Sequence, residues 1–200
     1  DAIKGLVEET VDGAHVLAVM TMGFRNIYSK EEVKQVSDLE GKKIRVQATK
    51  TEDTHFPAYG AQPVHMPFGE VYTSIQTGVV DMAENGVNVF LSNKHYEVAP
   101  VMSFTQHEAN NNLVWVSDKT WQSLDDGQKA CVEQAAAEIG KQEPTHALKL
   151  EEESAEKLKE IGVLIVEDVD KSGFIAAAQP IQDELAKELG MTNKEVLDLA

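Results

Sequence analysis

Residues 62–85, QPVHMPFGEVYTSIQTGVVDMAEN, change their hydrophobic period twice. Gln62 to Met66 reads as a brief strand. From Gly69 to Gly78 the apolar side chains Val71, Tyr72 and Ile75 recur at helical spacing, and Gly78 supplies a stop. Val79 to Ala83 then returns to a strand-like run. A short strand, a short helix and another short strand in succession specify an α/β chain.

The alternation continues on both sides. Upstream, helical periodicity in Asp1–Thr10 is followed by two expected strands, His15–Thr21 and Gly23–Ser29. A capped turn at Ser37–Lys43 leads into a strand over Lys42–Gln47, and a helix from Thr51 to Tyr59 ends at Gly60. Downstream, Glu97–Phe104 and Asn112–Ser117 read as strands. They are joined by the polar stretch Thr105-Gln-His-Glu-Ala-Asn-Asn-Asn, which suits a crossing between two lobes. Leu124–Gly162 is helical almost throughout and would reach roughly 55 Å, so it bridges two bodies or bends, with Pro144 the expected bend. A strand at Val163–Glu167 and helices at Ser172–Leu189 and Asn193–Leu199 close the chain.

Two hundred residues with 42% hydrophobic content suit one domain or two small lobes. A net charge of −16 opposes partnership with nucleic acid or with an anionic membrane surface. It also makes any anion site a local exception that needs concentrated positive charge. Cys131 is the single cysteine, which excludes an internal disulfide or a cysteine-cluster metal site, and its helical surroundings predict a small buried thiol. No apolar run approaches the 18 residues of a membrane span, and no stretch has the pattern of a signal peptide. The start, already in helical register, reads as though cut from something longer.

The six histidines show no pair at metal-ligating spacing, no Gly-x-Ser-x-Gly elbow is present, and no phosphate loop or dinucleotide fingerprint occurs. No metal or cofactor is expected. Glu70 and Glu84 could serve as acid and base, although glutamates at helix starts and strand ends more commonly meet exposed amides or arginines. The most informative compositional feature is that arginine occurs twice, at Arg25 and Arg45, against sixteen lysines. A planar fork grips carboxylates through two parallel hydrogen bonds as an ammonium cannot. Alternation in Lys42–Gln47 turns Arg45 away from the face used by Ile44 and Val46. Residue pattern alone leaves a structural ion pair and a ligand clamp both open for it.

Three segments in order carry a family resemblance: Gly23-Phe-Arg25-Asn26, then Asp38-Leu-Glu-Gly-Lys-Lys-Ile-Arg45-Val-Gln47, then Pro63 to Asn85 with Phe68, Tyr72 and Glu84 inside it. Lys94-His-Tyr-Glu-Val, the Thr105-Gln-His connector, Trp115-Val-Ser and the long helix after Trp121 extend it over practically the whole chain. The series resembles the DctP-type solute-binding proteins of tripartite ATP-independent periplasmic (TRAP) transporters. That resemblance implies a two-lobed, type II periplasmic-binding-protein-like α/β fold with a long bent helix. Residues 1–22 and 111–150 would be the remnant of lobe I, 23–110 lobe II, and 151–200 a closing segment shared by both.

It also implies a small organic acid as ligand, a dicarboxylate or sugar acid, held by Arg45 as carboxylate clamp. Arg25 would lie near the ligand's anionic or polar end, the alternative being an ion pair with Glu84 or Glu70. Asn85 would contact the substrate, Phe68 would pack on its apolar face, and Asn26, Glu84, Gln47 and Tyr72 are weaker candidates. The lobes would close by hinge bending, and the closed form would be read by the membrane subunits of the transporter, in the periplasm, after export by a signal peptide on the precursor. Met82-Ala-Glu-Asn-Gly86 and Ala48 depart from the common pattern, both at pocket positions. Roughly the first hundred residues of the family pattern have no counterpart, which predicts uncovered apolar surface and association between copies. An enzyme acting on a carboxylate through Glu70 and Glu84, or a ligand-free interaction domain, are the alternatives.

Overall fold

The computed structural model describes residues 2–188, 190 and 191. Six strands, β1 (Ala14–Ser29), β2 (Lys43–Val46), β3 (Gln62–His65), β4 (Met82–Asn85), β5 (Val101–Ser117) and β6 (Leu164–Val166), form one mixed sheet in the order β3-β2-β4-β1-β5-β6. β2 runs parallel to both β3 and β4, and β5 to β6, while β1 is antiparallel to β4 and β5. Parallel neighbours need a crossover, and the helices α2 (Lys50–Ala58) and α3 (Val71–Thr77) provide it after β2 and β3. The stretch 62–85 is thus a βαβ unit, as its changes of period predict.

Side-chain alternation sorts the strands into two faces. Ile27, Ile44, Val46 and Met82 pack with Phe56 and Tyr59 of α2 and Phe174 of α7 (Ser172–Glu188). Tyr28 and Ala83 pack with Val71 and Ile75 of α3, Phe90 of α4 (Val87–Ser92), and Ala155 and Leu158 of α6 (Asp126–Glu160). Helices therefore cover the sheet on both sides, and each fully buried side chain of this size contributes about 1.5–3 kcal/mol.

Several expected boundaries shift. The strands expected at 15–21 and 23–29 are one strand of 16 residues, and those at 97–104 and 112–117 are one of 17. The polar connector between the latter is itself strand, because β1 and β5 pair along nearly their whole lengths and give its backbone a partner. β4 begins at Met82, later than the expected 79: Gly78, at φ 76°, caps α3, and the amides of Val79 and Val80 are still engaged by Ser74 O. Helix α4 was not expected at all. The helix expected at 193–199 lies outside the described residues. Pro144 stands inside α6, a single helix of 35 residues.

Before Gly23 in β1, and after Asn110 in β5, the two strands leave the wider sheet as a two-stranded ribbon. It is flanked by α1 (Ala2–Thr10), α5 (Asp118–Ser123) and the first half of α6. Glu8 Oε1 accepts from Val16 N at 2.8 Å, His15 stacks on Trp121 of α5 with centroids 4.2 Å apart, and Glu143 Oε2 of α6 accepts from Thr21 N at 2.9 Å. Leu113, Trp115, Ile139 and Leu148 are exposed on this extension. Cys131, expected to be buried, is exposed. The cause is local: of the four buried residues of α6, only Ala136 lies in the first half, where the helix has no cover on its outer side, and Ser154, Ala155 and Leu158 sit at the other end.

Candidate functional site

The ribbon joins the sheet through two irregularities. Between Thr21 and Phe24, Met22 and Gly23 stand opposite Asn110 alone. Between Arg25 and Ile27, the single residue Asn26 stands opposite four, Phe104 to His107, with Gln106 at φ 46°. Such bulges bend a strand pair and re-aim its side chains. Here they turn the start of the ribbon over the carboxyl ends of the parallel strands β2 and β4, where open α/β sheets place ligands. A cleft of about 550 Å³ results. Arg25, Arg45, Gln47, Phe68 and Asn85 line it, together with Thr49, Thr51 and Glu52 at the start of α2, and Glu108 and Asn110 to Asn112 of the ribbon.

Arg45 is 5% exposed. Its Nε and Nη2 both donate to Met66 O, at 3.2 and 3.1 Å, and its guanidinium lies 5.7 Å from the centroid of the Phe68 ring. One edge of the fork is thereby fixed on a carbonyl that carries no charge. The edge formed by Nη1 and Nη2 stays available for a bidentate carboxylate, since Arg45 makes no ion pair among the described residues. Behind Phe68, the His95 ring is 5.4 Å away and its Nδ1 is 2.8 Å from Tyr28 Oη. Burial, and then the charge of Arg45, hold the His95 pKa below its ordinary value.

Arg25, also 5% exposed, forks onto Glu84, which is 1% exposed. Its Nε donates to Oε2, and its Nη2 donates to Oε1 at 2.6 Å. Burial alone would raise the Glu84 carboxyl, but His107 and Arg25 outweigh it and hold it at about 2. His107 Nε2 stands 3.7 Å from Glu84 Oε2 and has no closer polar partner among the described residues. Burial also opposes the charge on Arg25, and Glu84 more than compensates, raising its pKa. Arg25 is therefore both ion-paired and cleft-lining, a combination of the two roles that its sequence context left open.

Asn85 Oδ1 accepts from Gly86 N at 2.9 Å, which leaves its amide Nδ2 without a partner among the described residues. The structure thus brings Arg25, Arg45, Phe68, Asn85 and Gln47 together. Glu84 lies beneath the cleft and reaches it through Arg25. Asn26 does not line it: its Oδ1 accepts from Gln106 N at 3.1 Å and its Nδ2 donates to Phe24 O, which holds the second bulge. Tyr72 is remote, bonded to Glu97 at 2.8 Å. Glu70 is exposed and does not line the cleft, so the Glu70–Glu84 acid–base pair is not assembled.

Sequence reasoning missed Glu52, Glu108 and the asparagine run as cleft residues. Glu52 was concealed by Thr49-Lys-Thr-Glu52, the S/T-x-x-E pattern of a capping box, which assigns a glutamate to helix capping. The asparagines were visible only as part of a polar connector.

The site thus sets an arginine edge, without an ion-pair partner among the described residues, at the carboxyl ends of the parallel strands. The chain belongs to the DctP family: residues 4–189 match DctP, the bacterial extracellular solute-binding proteins of family 7. Members of this family bind solutes and are not enzymes. Among curated proteins, a solute-binding protein of Chromohalobacter salexigens is 33% identical over 86% of this chain and 52% of its own length. The 2,3-diketo-L-gulonate-binding periplasmic protein YiaO of Escherichia coli is 30% identical over 88% of this chain and 55% of its own. The chain spans about half the length of the curated relatives it matches. A crystal structure of a TRAP periplasmic solute-binding protein from Chromohalobacter salexigens, with bound D-glucuronate, superposes with a TM-score of 0.88 at 30% identity, covering 98% of this chain and 68% of that one.

Proposed function

We propose that this chain is part of a periplasmic TRAP-transporter binding component that captures a small organic acid, of the sugar-acid kind, in the cleft above β2 and β4. Arg45 clamps the carboxylate through its Nη1–Nη2 edge, Asn85 Nδ2 donates beside it, and Phe68 supports the guanidinium and the ligand's apolar face. Arg25, neutralised by Glu84, lines the site as a donor without adding net charge. The observation that carries this reading is Arg45 itself: 5% exposed, in a cleft, with no carboxylate partner among the described residues. A buried cation without a counter-ion is costly, and an anionic ligand resolves that cost. The relatives favour sugar acids: the names of two of them carry 2,3-diketo-L-gulonate and D-glucuronate.

Residues 23–110 form one lobe in this reading, 1–22 and 111–150 belong to the other, and 151–200 is shared. The bulges at Met22–Gly23 and Phe104–His107, where β1 and β5 pass between the two, are the hinge, and closure on the ligand presents the form that the membrane subunits recognise. Isothermal titration of the purified full chain with D-glucuronate tests the clamp. Arg45→Ala removes two charge-assisted hydrogen bonds of about 1.5–3 kcal/mol each and is expected to weaken binding at least 100-fold. Arg45→Lys keeps the charge, loses the fork and recovers only part of the affinity. Undiminished affinity in Arg45→Ala refutes the clamp.

A further inference from the structure

The cleft holds a second anomaly, on the acidic side. Glu52 is 4% exposed although it is a lining residue of the cleft, and its Oε2 is buried without a hydrogen-bond partner among the described residues. Its place at the start of α2 predicts another fate. Thr49 Oγ1 accepts from Glu52 N at 3.2 Å, which is one half of a capping box. The reciprocal half is not made, because Thr49 N donates to Gln47 O at 2.9 Å instead. Glu52 Oε1 is held by Gln47 Nε2 at 3.4 Å. A carboxyl released from its helix is thus steadied on one oxygen and left on the other without a partner among the described residues, in a side chain of the cleft wall.

We infer that Glu52 is a specificity-determining residue which, as a neutral carboxylic acid, hydrogen-bonds a hydroxyl of the bound acid at the end away from Arg45, so that capture of the anion takes up a proton. This rests on the reading of the cleft as an organic-acid site. A neutral carboxyl both donates and accepts, which matches a hydroxyl, whereas an ionised one would bring a second unpaired anion against the ligand. The charged groups around it agree. Glu84 of β4 and Glu108 of β5 face it with like charge, and Arg25 of β1 opposes them but is already forked onto Glu84. On its own helix, Lys50 is paired with Glu188 of α7 and Asp53 with His65 of β3. Burial first, and Glu84 next, push the Glu52 carboxyl up to about 7.

The sign follows from linkage: an anion that binds better to the protonated form raises this pKa further, and affinity falls as pH rises through about 7. Titration of D-glucuronate at about pH 6 and about pH 8, in buffers of different ionisation enthalpy, reads both quantities. The wild type is expected to bind up to about ten-fold more tightly at the lower pH and to take up about half a proton per ligand near pH 7. Glu52→Gln, which mimics the neutral form, should hold the low-pH affinity at both values with no proton uptake. Glu52→Ala should weaken binding about ten-fold at the lower pH, by loss of the hydrogen bond, and should show no pH dependence. Glu108→Gln should still bind more weakly as pH rises, with the fall displaced to lower pH because a like charge beside Glu52 is gone.

Wild-type affinity independent of pH, or a pH dependence unchanged in Glu52→Gln, overturns the inference, as does its disappearance in Glu108→Gln. Affinity that rises with pH and collapses in Glu52→Gln also overturns it, by identifying a carboxylate that reads a cationic group. If neither D-glucuronate nor any other carboxylate binds, the organic-acid reading falls first and takes this inference with it.

Discussion

Glu84→Gln isolates the ion pair beneath the cleft, because it removes a charge while keeping the side chain's size. Arg25 and Glu84 are 5% and 1% exposed, so the guanidinium left behind has little access to water. Two hydrogen bonds lose their ionic component, those of Nε to Oε2 and of Nη2 to Oε1. Breaking one side of a buried pair costs about 3–5 kcal/mol, and the amide oxygen that remains as acceptor places this variant near about 3 kcal/mol. Urea unfolding followed by far-ultraviolet circular dichroism measures it. With a slope of about 2–3 kcal/mol/M the midpoint falls by about 1–1.5 M.

The pH dependence adds a second constraint. The Glu84 carboxyl is held at about 2 against an ordinary 4.5, so the pair's contribution is complete above about 4.5 and disappears as pH falls towards 2. The wild-type and Glu84→Gln curves are therefore expected to converge across that window. A midpoint shift below about 0.3 M at neutral pH, or a gap that persists undiminished in acid, refutes the reasoning. Replacing both partners together, Arg25→Met with Glu84→Leu, should restore most of the lost stability, since an apolar pair leaves no unpaired charge.

Two further substitutions probe the cleft and its hinge. Phe68→Ala removes the ring beneath the Arg45 guanidinium, at 5.7 Å, and with Phe68 itself 36% exposed the cation–π contact contributes about 0.5–1 kcal/mol. Calorimetry with D-glucuronate should show affinity lower by about two- to five-fold, and no change would remove Phe68 from the site. Gly23→Ala places a Cβ at a φ of 76° and 1.8 Å from the Glu151 carboxylate of α6. The left-handed backbone alone costs about 1–2 kcal/mol, which lowers the melting temperature by about 2–8 °C. Glu151→Ala in the same chain should relieve the clash but not the backbone term, and full recovery would refute the assignment of strain to the bulge.

Much of this architecture is local in origin. The changes of period across 62–85 determine the βαβ unit, because strand and helix each impose their own spacing on apolar residues. Alternation around Arg45 determines that it leaves the core face, and two arginines among sixteen lysines mark where a fork is needed. Ordered motifs then identify the family. Sequence stops short wherever a partner distant in the chain decides the outcome. The polar stretch 105–112 is strand only because β1 lies alongside it, and Cys131 is exposed because nothing covers that side of α6. Arg25 and Arg45 differ in role because Glu84 lies on the neighbouring strand beside Arg25, while a neutral carbonyl, Met66 O, lies beside Arg45. Glu52 looks like a helix cap in sequence. Only the tertiary structure, by giving the Thr49 amide to Gln47 and closing the cleft around the freed carboxyl, makes it a buried acid with an unused oxygen.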